Sequence, residues 1–393
     1  MIYVSILAVI TAIGLFIALY YVKANLTSPL SLHCIAWFLV SIIGLFAYDE
    51  FIDFPAVSYY AFLIWYLTIY FILTVGEVVT LKANSQNYFQ DKEFNCARYW
   101  VFVVPIAIYT IWEIYKVGTS GPVSFFLNLR LAGILEDYSG EKFTVMTAVY
   151  PVMIAIFAIV CMSKTSRKNI YAIVFWIMLF CIGTMGKFAI VTPIIIFLAV
   201  RELTKGLNRK KLILFYSPMI VFLVLALHFV RMATSDGTTV SSVLGLYIYS
   251  PILALSKLSD IAGNNVGEYT FRFLYAILSK TGLSAVEPAK TILEYVDVPV
   301  PTNVYTVMQP FYQDFSLYGV AFGAIMYGVI FAFIYASAKQ GNPVSILIYA
   351  VLAVSMFTSF LTETLITNLA GNIKLIICIY FLWRFTVKCK VKQ

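Results

Sequence analysis

What most limits the fold of this chain is the length of its apolar runs. Stretches such as IYVSILAVITAIGLFIALYYV at 2–22 and LYGVAFGAIMYGVIFAFIYAS at 317–337 carry no charged residue. A helix needs about 20 such residues to cross the hydrocarbon core of a bilayer. Similar runs of roughly 15 to 22 residues recur along the chain, separated by short charged segments, and alternation of the kind a β-barrel strand shows is absent. With 62% hydrophobic and 12% charged residues and a mean hydropathy of +0.90, the composition lies far from that of a soluble domain. The expected fold is an all-α polytopic membrane protein, a single membrane domain over 1–393.

The expected spans lie near 2–22, 30–47, 56–76, 99–117, 144–162, 170–185, 188–200, 212–230, 315–337, 344–361 and 370–387, about eleven transmembrane helices. The runs at 170–185 and 188–200 are short, and suggest a tight hairpin or tilted, broken helices. Lys and Arg cluster at 163–169, at 201–211 and in the tail with Lys388, Lys390 and Lys392, which marks those segments as cytoplasmic. An odd number of spans then puts the N-terminus outside and the C-terminus inside. The net charge of +8 is read as an insertion signal, with no nucleic acid as partner. No basic region precedes the first apolar run, so that run reads as a retained span. Cys34, Cys96, Cys161, Cys181, Cys378 and Cys389 fall in spans or on the cytoplasmic side, and neither disulfides nor a metal site is expected from their spacing.

Two outer loops are long, one at 118–143 and one at 231–314. Within the second, VLGLYIYSPILALSKL at 243–258 and YTFRFLYAIL at 269–278 read as amphipathic helices on or dipping into the outer surface. The prolines of EYVDVPVPTN at 294–303 impose an extended, helix-free approach to the last outer corner. No internal repeat is visible, which weighs against a transporter built from matched halves.

Arg130, Arg231, Arg272 and Lys187 are cations on the outer side, where guanidinium and ammonium groups suit phosphate oxygens. For any one of them an interface anchor or a structural ion pair is the competing role. Arg130 and Gly140 enclose nine residues, as do Arg272 and Gly282. Asp314 stands where the large loop meets a span and reads as a base, a sugar hydrogen-bonding group or a cap. Glu268 lies four residues before Arg272, as a base or as a one-turn salt bridge with it. His228 shares a helical face with Arg231 and is a second candidate base, whereas His33 reads as a core residue. Glu113 and Glu363 read either as proton-path members or as helix-end hydrogen-bond partners. Loop tyrosines offer flat faces with polar tips suited to sugar rings.

The stretch NVYTVMQPFYQDFSLYGVAFGAIMYG at 303–328 resembles the corner found in Wzy-type oligosaccharide repeat-unit polymerases: an Asn-Val-Tyr-Thr run, an aromatic and acidic turn, then glycine and a span. SPLSLHCIAWFLVSIIGLFAYD at 28–49 is similar to that family's Ser-Pro opening with a tryptophan shortly after, and the layout of spans and two large periplasmic loops is similar too. Where the family carries Gly-Ser-Arg this chain has Gly186 and Lys187, and its two Arg-to-Gly gaps are nine residues rather than ten.

The resemblance implies a metal-independent, cofactor-free glycosyltransferase of the bacterial inner membrane. It would join O-antigen or capsule units carried on undecaprenyl pyrophosphate, with a chain-length regulator as a further partner. Asp314, His228 and Glu268 would be the catalytic candidates. Arg130, Lys187, Arg231, Arg272, Asn303, Tyr305 and Tyr312 would hold pyrophosphate and sugars. A lipid-linked oligosaccharide exporter and an O-antigen ligase share this chemistry and stay open at this point.

Overall fold

The structure, a computed structural model, describes residues 1–80, 92–94, 96–134, 138–163, 167–184, 188–207, 244–258, 265–290, 293–299 and 301–389. The chain forms two compact units. The first comprises Met1–Asn84, Asp236–Ser337 and Ser355–Asn372, and the second Ser85–Ser235, Ala338–Val354 and Ile373–Gln393. The described residues are almost wholly helical, as the apolar runs require, since a helix alone satisfies its own backbone in lipid. Among the described residues five helices are long and apolar enough to cross a membrane: Ile2–Tyr21, Pro29–Phe46, Ala56–Val79, Gln309–Lys339 and Pro343–Phe360.

In the first unit, α1 (Ile2–Phe16) continues as a π-helical turn over Ile17–Tyr21. Helix α2 (Pro29–Phe46) starts where Ser28 accepts the Ser31 N–H and Pro29 opens the first turn, the order of residues a helix start favours. Helix α3 (Ala56–Thr80) packs on α2 through aromatic side chains. Trp37 meets Phe62 edge-on at 4.8 Å between ring centres, and Trp65 meets Tyr327 at 5.2 Å. His33 is buried, its Nε2 lying 3.1 Å from the Tyr66 carbonyl, and is the core residue the sequence suggests.

The segment 243–258 departs from expectation. Residues Gly245–Tyr249 form a π-helical turn, Ser250–Ala254 a short helix (α9) and Leu255–Leu258 a 3-10 turn. Ser250, Pro251, Ile252, Leu253, Ala254 and Leu255 are all buried, so this is a core plug and not a surface helix. Its carbonyls explain why it can be buried: Ser58 donates to Ile252 at 2.8 Å and Ser250 to Leu246 at 2.7 Å. Tyr249 lies against Gly44, where a Cβ would come within 2.6 Å of the ring. The second half-apolar stretch does form a surface helix, α10 (Arg272–Lys280), with none of its residues buried.

The described residues of the proline-rich approach, 293–299 and 301–308, are free of helix, with strands β1 (Val296–Asp297) and β2 (Pro301–Thr302) paired antiparallel. Helix α11 (Gln309–Lys339) follows, broken at Phe315 (φ −139°, ψ 15°) and Ser316 (φ 54°, ψ −144°). The break folds 309–314 back on the span, so that Phe311 packs on Gly319 and Gly323, where a Cβ on either would strike it. That close approach is the physical reason for the glycines in the Tyr-Gly-Val-Ala-Phe-Gly run.

In the second unit, α4 (Cys96–Ser120), α5 (Phe125–Ile134), α6 (Val145–Met162), α7 (Arg167–Thr184) and α8 (Phe188–Lys205) pack on one another. Helices α7 and α8 have 18 residues each. The apolar runs at 170–185 and 188–200 look shorter because the helices carry on through the charged residues that flank them. Helix α12 (Pro343–Phe357) and helix α13 (Leu369–Thr386) complete the set. The expected span at 212–230 lies outside the described residues.

Candidate functional site

A cavity of about 230 Å³ opens in the first unit, lined by Tyr269, Arg272, Ala289, Lys290, Leu293, Gln309, Pro310, Thr362, Glu363, Thr367 and Asn368. Four stretches distant in sequence build it: the start of α10, the segment after it, the corner at 309–310, and the loop between α12 and α13. Its walls are half polar, with two cations.

Arg272 is the first residue of α10, and its Nε donates to the Ala289 carbonyl at 2.7 Å. That bond fixes the side chain in one direction and leaves the terminal guanidinium nitrogens for a ligand. Neither Arg272 nor Lys290 forms an ion pair with a carboxylate among the described residues. Two unpaired cations on one wall are the arrangement an anion needs.

The anticipated Glu268–Arg272 bridge does not form. Glu268 precedes the helix in a run of turns, and its Oε2 accepts from the backbone and side chain of Asn265 at 3.1 and 3.0 Å. One-turn pairing needs both residues on the helix, and the helix begins only at Arg272.

Asp314, the last residue before the break in α11, accepts the N–H of Thr270 at 2.7 Å and that of Tyr269 at 3.3 Å, one on each carboxylate oxygen. It thereby ties the turn preceding α10, and the Tyr269 ring on the cavity wall, to the mouth of the span. Burial raises the Tyr269 phenol above its usual range, with the Glu268 and Asp314 charges adding to the effect. The phenol therefore stays protonated and can donate.

Glu363 is buried and is a hydrogen-bond hub. It accepts from the N–H groups of Leu365 and Ile366 at 2.8 Å each, from that of Thr367 at 2.6 Å, and from the Tyr327 hydroxyl. The loop is further held by Asn372, which donates to the carbonyls of Thr364 and Leu365 at 2.8 and 2.9 Å. Glu113 plays the matching part in the second unit. It takes the N–H groups of Thr144, Val145 and Met146 at 2.6, 3.0 and 2.6 Å and the Thr144 hydroxyl at 2.9 Å. Glu113 is thus a helix-end partner, satisfying donors that the first turn of α6 leaves open, whereas Glu363 holds the loop that precedes α13.

The other residues singled out from the sequence are placed as follows. Arg130 is half-buried on α5 in the second unit and is already engaged with a neighbour. Tyr305 is buried and donates to the Glu294 carbonyl at 2.9 Å. Burial above all, with the Glu294 charge behind it, pushes its phenol up to about 12. Tyr312 is buried and Asn303 half-buried, and none of these three lines the cavity. Lys187, His228 and Arg231 lie outside the described residues.

The corner contributes Gln309 and Pro310 to the cavity instead. The Asn-Val-Tyr-Thr run is the buried scaffold beneath them, with the Val307 N–H on the Ser359 carbonyl at 2.8 Å. Lys290, Thr362, Thr367 and Asn368 were not apparent from the sequence, because nothing local marks a residue whose role comes from distant stretches meeting. Among the described residues no group of three or more His, Cys, Asp or Glu is placed to hold a metal ion. No family model, curated protein or solved structure matches this chain.

Proposed function

We propose that this chain is an inner-membrane glycosyltransferase that polymerises oligosaccharide repeat units carried on a polyprenyl pyrophosphate. In this reading it crosses the bilayer about eleven times, and its two long loops face the periplasm. One observation supports the reading most: Arg272 and Lys290, both without a carboxylate partner among the described residues, line one polar cavity beside the start of an apolar helix. A polar cavity with two available cations beside the start of an apolar helix suits a substrate whose tail is lipid and whose head is pyrophosphate.

The reaction is a displacement at an anomeric carbon. An acceptor hydroxyl oxygen forms the new C–O bond, and the bond from that carbon to the pyrophosphate oxygen breaks. Its electron pair leaves with the pyrophosphate, and the hydroxyl proton passes to a base. Charge grows on the leaving group, so fixed cations lower the barrier. Arg272, oriented by the Ala289 carbonyl, and Lys290 would supply that field. Tyr269 and Gln309 would hydrogen-bond the sugars, keeping the acceptor in line.

Asp314 acts here as a positioning residue, since both of its oxygens already accept backbone N–H groups. Glu363 is equally committed. The base is then sought among Glu268, whose second oxygen accepts no hydrogen bond from the described residues, and His228.

The test is the length distribution of surface glycan in cells lacking this gene. Glycan one repeat unit long, still exported and attached to its final carrier, is the expected result. Loss of all surface glycan would point instead to an exporter or a ligase and would sink the polymerase reading.

A further inference from the structure

Helix α10 is amphipathic the wrong way round for a helix in water. Its nine residues place Arg272, Tyr275 and Ser279 on one face, at one-turn spacing. That polar face is turned towards the protein: Arg272 donates to Ala289, and the Tyr275 hydroxyl donates to the Val266 carbonyl at 2.9 Å. The opposite face carries Leu274, Ile277 and Leu278, which are 53%, 43% and 38% exposed, and Leu283 just beyond is 77% exposed. A helix that shows its apolar face outward is stable only where something apolar covers that face.

The position of α10 says what covers it. Asp314 holds the N–H groups of Tyr269 and Thr270, immediately before the helix, and Asp314 sits at the break where the membrane helix α11 begins its long apolar run. Four residues on, Tyr318 is 88% exposed, a tyrosine where the boundary between headgroups and hydrocarbon is rich in them. Phe322 and Ile325, a turn or two further, are exposed to the lipid that α11 crosses. The start of α10 is therefore fixed at the depth of the membrane interface. At about 1.5 Å per residue the helix is far too short to cross. Lys280 at its C-terminal end is exposed and can lift its ammonium to the headgroups.

We infer that α10 lies in the membrane interface, its Leu274, Ile277 and Leu278 face inserted among the lipid chains, and so forms the lipid-side wall of the cavity to which it contributes Arg272. The occupant of the apolar face is the bilayer itself. This goes beyond the proposed activity and holds whatever chemistry the cavity performs.

The experiment places a photoreactive p-benzoylphenylalanine singly at positions 274, 277 and 278 in the full-length protein, reconstituted in vesicles of phosphatidylethanolamine and phosphatidylglycerol. The same probe at position 322 on α11 is the lipid-facing control. After irradiation, intact-mass measurement is expected to show a gain of one phospholipid at all three α10 positions, as at 322. A crosslinked pair of chains would show the face to be an interface between copies and would overturn the inference. So would the absence of adducts on α10 where position 322 gives them, which would place the face in water. All substituted positions are exposed, so folding is not at stake. No glycan substrate enters the assay, so its failure and failure of the polymerase reading are separate results.

Discussion

The two long inter-span stretches at 118–143 and 231–314 begin alike and end differently. Each carries an arginine and a glycine with nine residues between them, and each meets a buried glutamate that gathers backbone N–H groups. In the first loop the polar groups are spent on the loop itself. Asn128 reaches the carbonyls of Gly118, Gly121 and Val123 at 2.9, 3.2 and 3.0 Å, Ser120 accepts the Glu141 N–H at 2.8 Å, and Lys116 pairs with Glu141 at 2.8 Å. Arg130 is likewise engaged. In the second loop, among the described residues, Arg272 uses one nitrogen on the protein and Lys290 none, and a cavity separates them from the loop that Glu363 holds. A loop whose described polar groups are engaged with its own backbone and neighbours is built as a scaffold, and one that leaves described cations available at a cavity has room for an anion.

The sharpest way to break this contrast is to remove the cations. Arg272→Ala combined with Lys290→Ala is expected to lower repeat-unit polymerisation by about 100-fold or more, the scale seen when a group stabilising developing charge is removed. Arg130→Ala should cost far less. Synthesis of long glycan from lipid-linked units by protein in vesicles measures both. Equal losses at Arg130 and Arg272 would abolish the distinction between the loops.

Asp314 gives the next largest separation. As a positioning residue it loses one acceptor in Asp314→Asn, while the remaining amide oxygen still takes a backbone N–H. Activity should fall by about 10-fold, the equivalent of about 1.5 kcal/mol, the lower end of what one hydrogen bond to a charged group contributes, since half of the pair survives. A general base replaced by an amide would lose its proton-accepting function outright. A loss as deep as that of the cation variant would make Asp314 the base after all.

Glu113 and Glu363 should separate stability from activity. Truncating either to alanine leaves buried N–H groups without an acceptor, at about 1–3 kcal/mol for each group that water cannot reach. Both variants should melt at lower temperature in detergent. Glu363→Ala should also impair polymerisation, because its loop lines the cavity, whereas correctly folded Glu113→Ala should retain its rate.

Much of this was open to a reader of the sequence. The apolar runs fall on helices wherever residues are described, and Arg272 and the 309–310 corner were both singled out. The half-apolar stretch at 269–278 also reads as an amphipathic helix, and one forms at Arg272–Lys280. The errors have one cause, which is that a sequence shows spacing but not partners. Glu268 and Arg272 have the separation of a helical pair, but the helix starts too late. The run at 243–258 has the composition of an interfacial helix, but Ser58 on a distant helix supplies the donor that lets it be buried. Tyr305 looks like a sugar platform because its Glu294 carbonyl partner cannot be foreseen. Lys290 joins the site only through the fold.

The smallest effect tests the two glycines of the shared pattern, which do different work. Gly282 follows the last turn of α10 with φ +71° and has open space where a side chain would stand. It ends the helix with its N–H on the Ser279 carbonyl at 3.1 Å and the Leu283 N–H on Leu278 at 2.9 Å. Its requirement is conformational, so Gly282→Ala should cost about 1 kcal/mol, and Gly282→Asn, which adopts positive φ more readily, should recover part of it. Gly140 has no such backbone constraint. A Cβ there would lie 2.6 Å from the Tyr138 ring and 2.9 Å from the Ser120 hydroxyl, the group that accepts from Glu141. Asparagine should therefore be no better than alanine at 140. Thermal midpoints of the four variants decide the matter: rescue by asparagine at both glycines, or at neither, would mean that the nine-residue spacing reflects one shared structural motif and not two separate solutions.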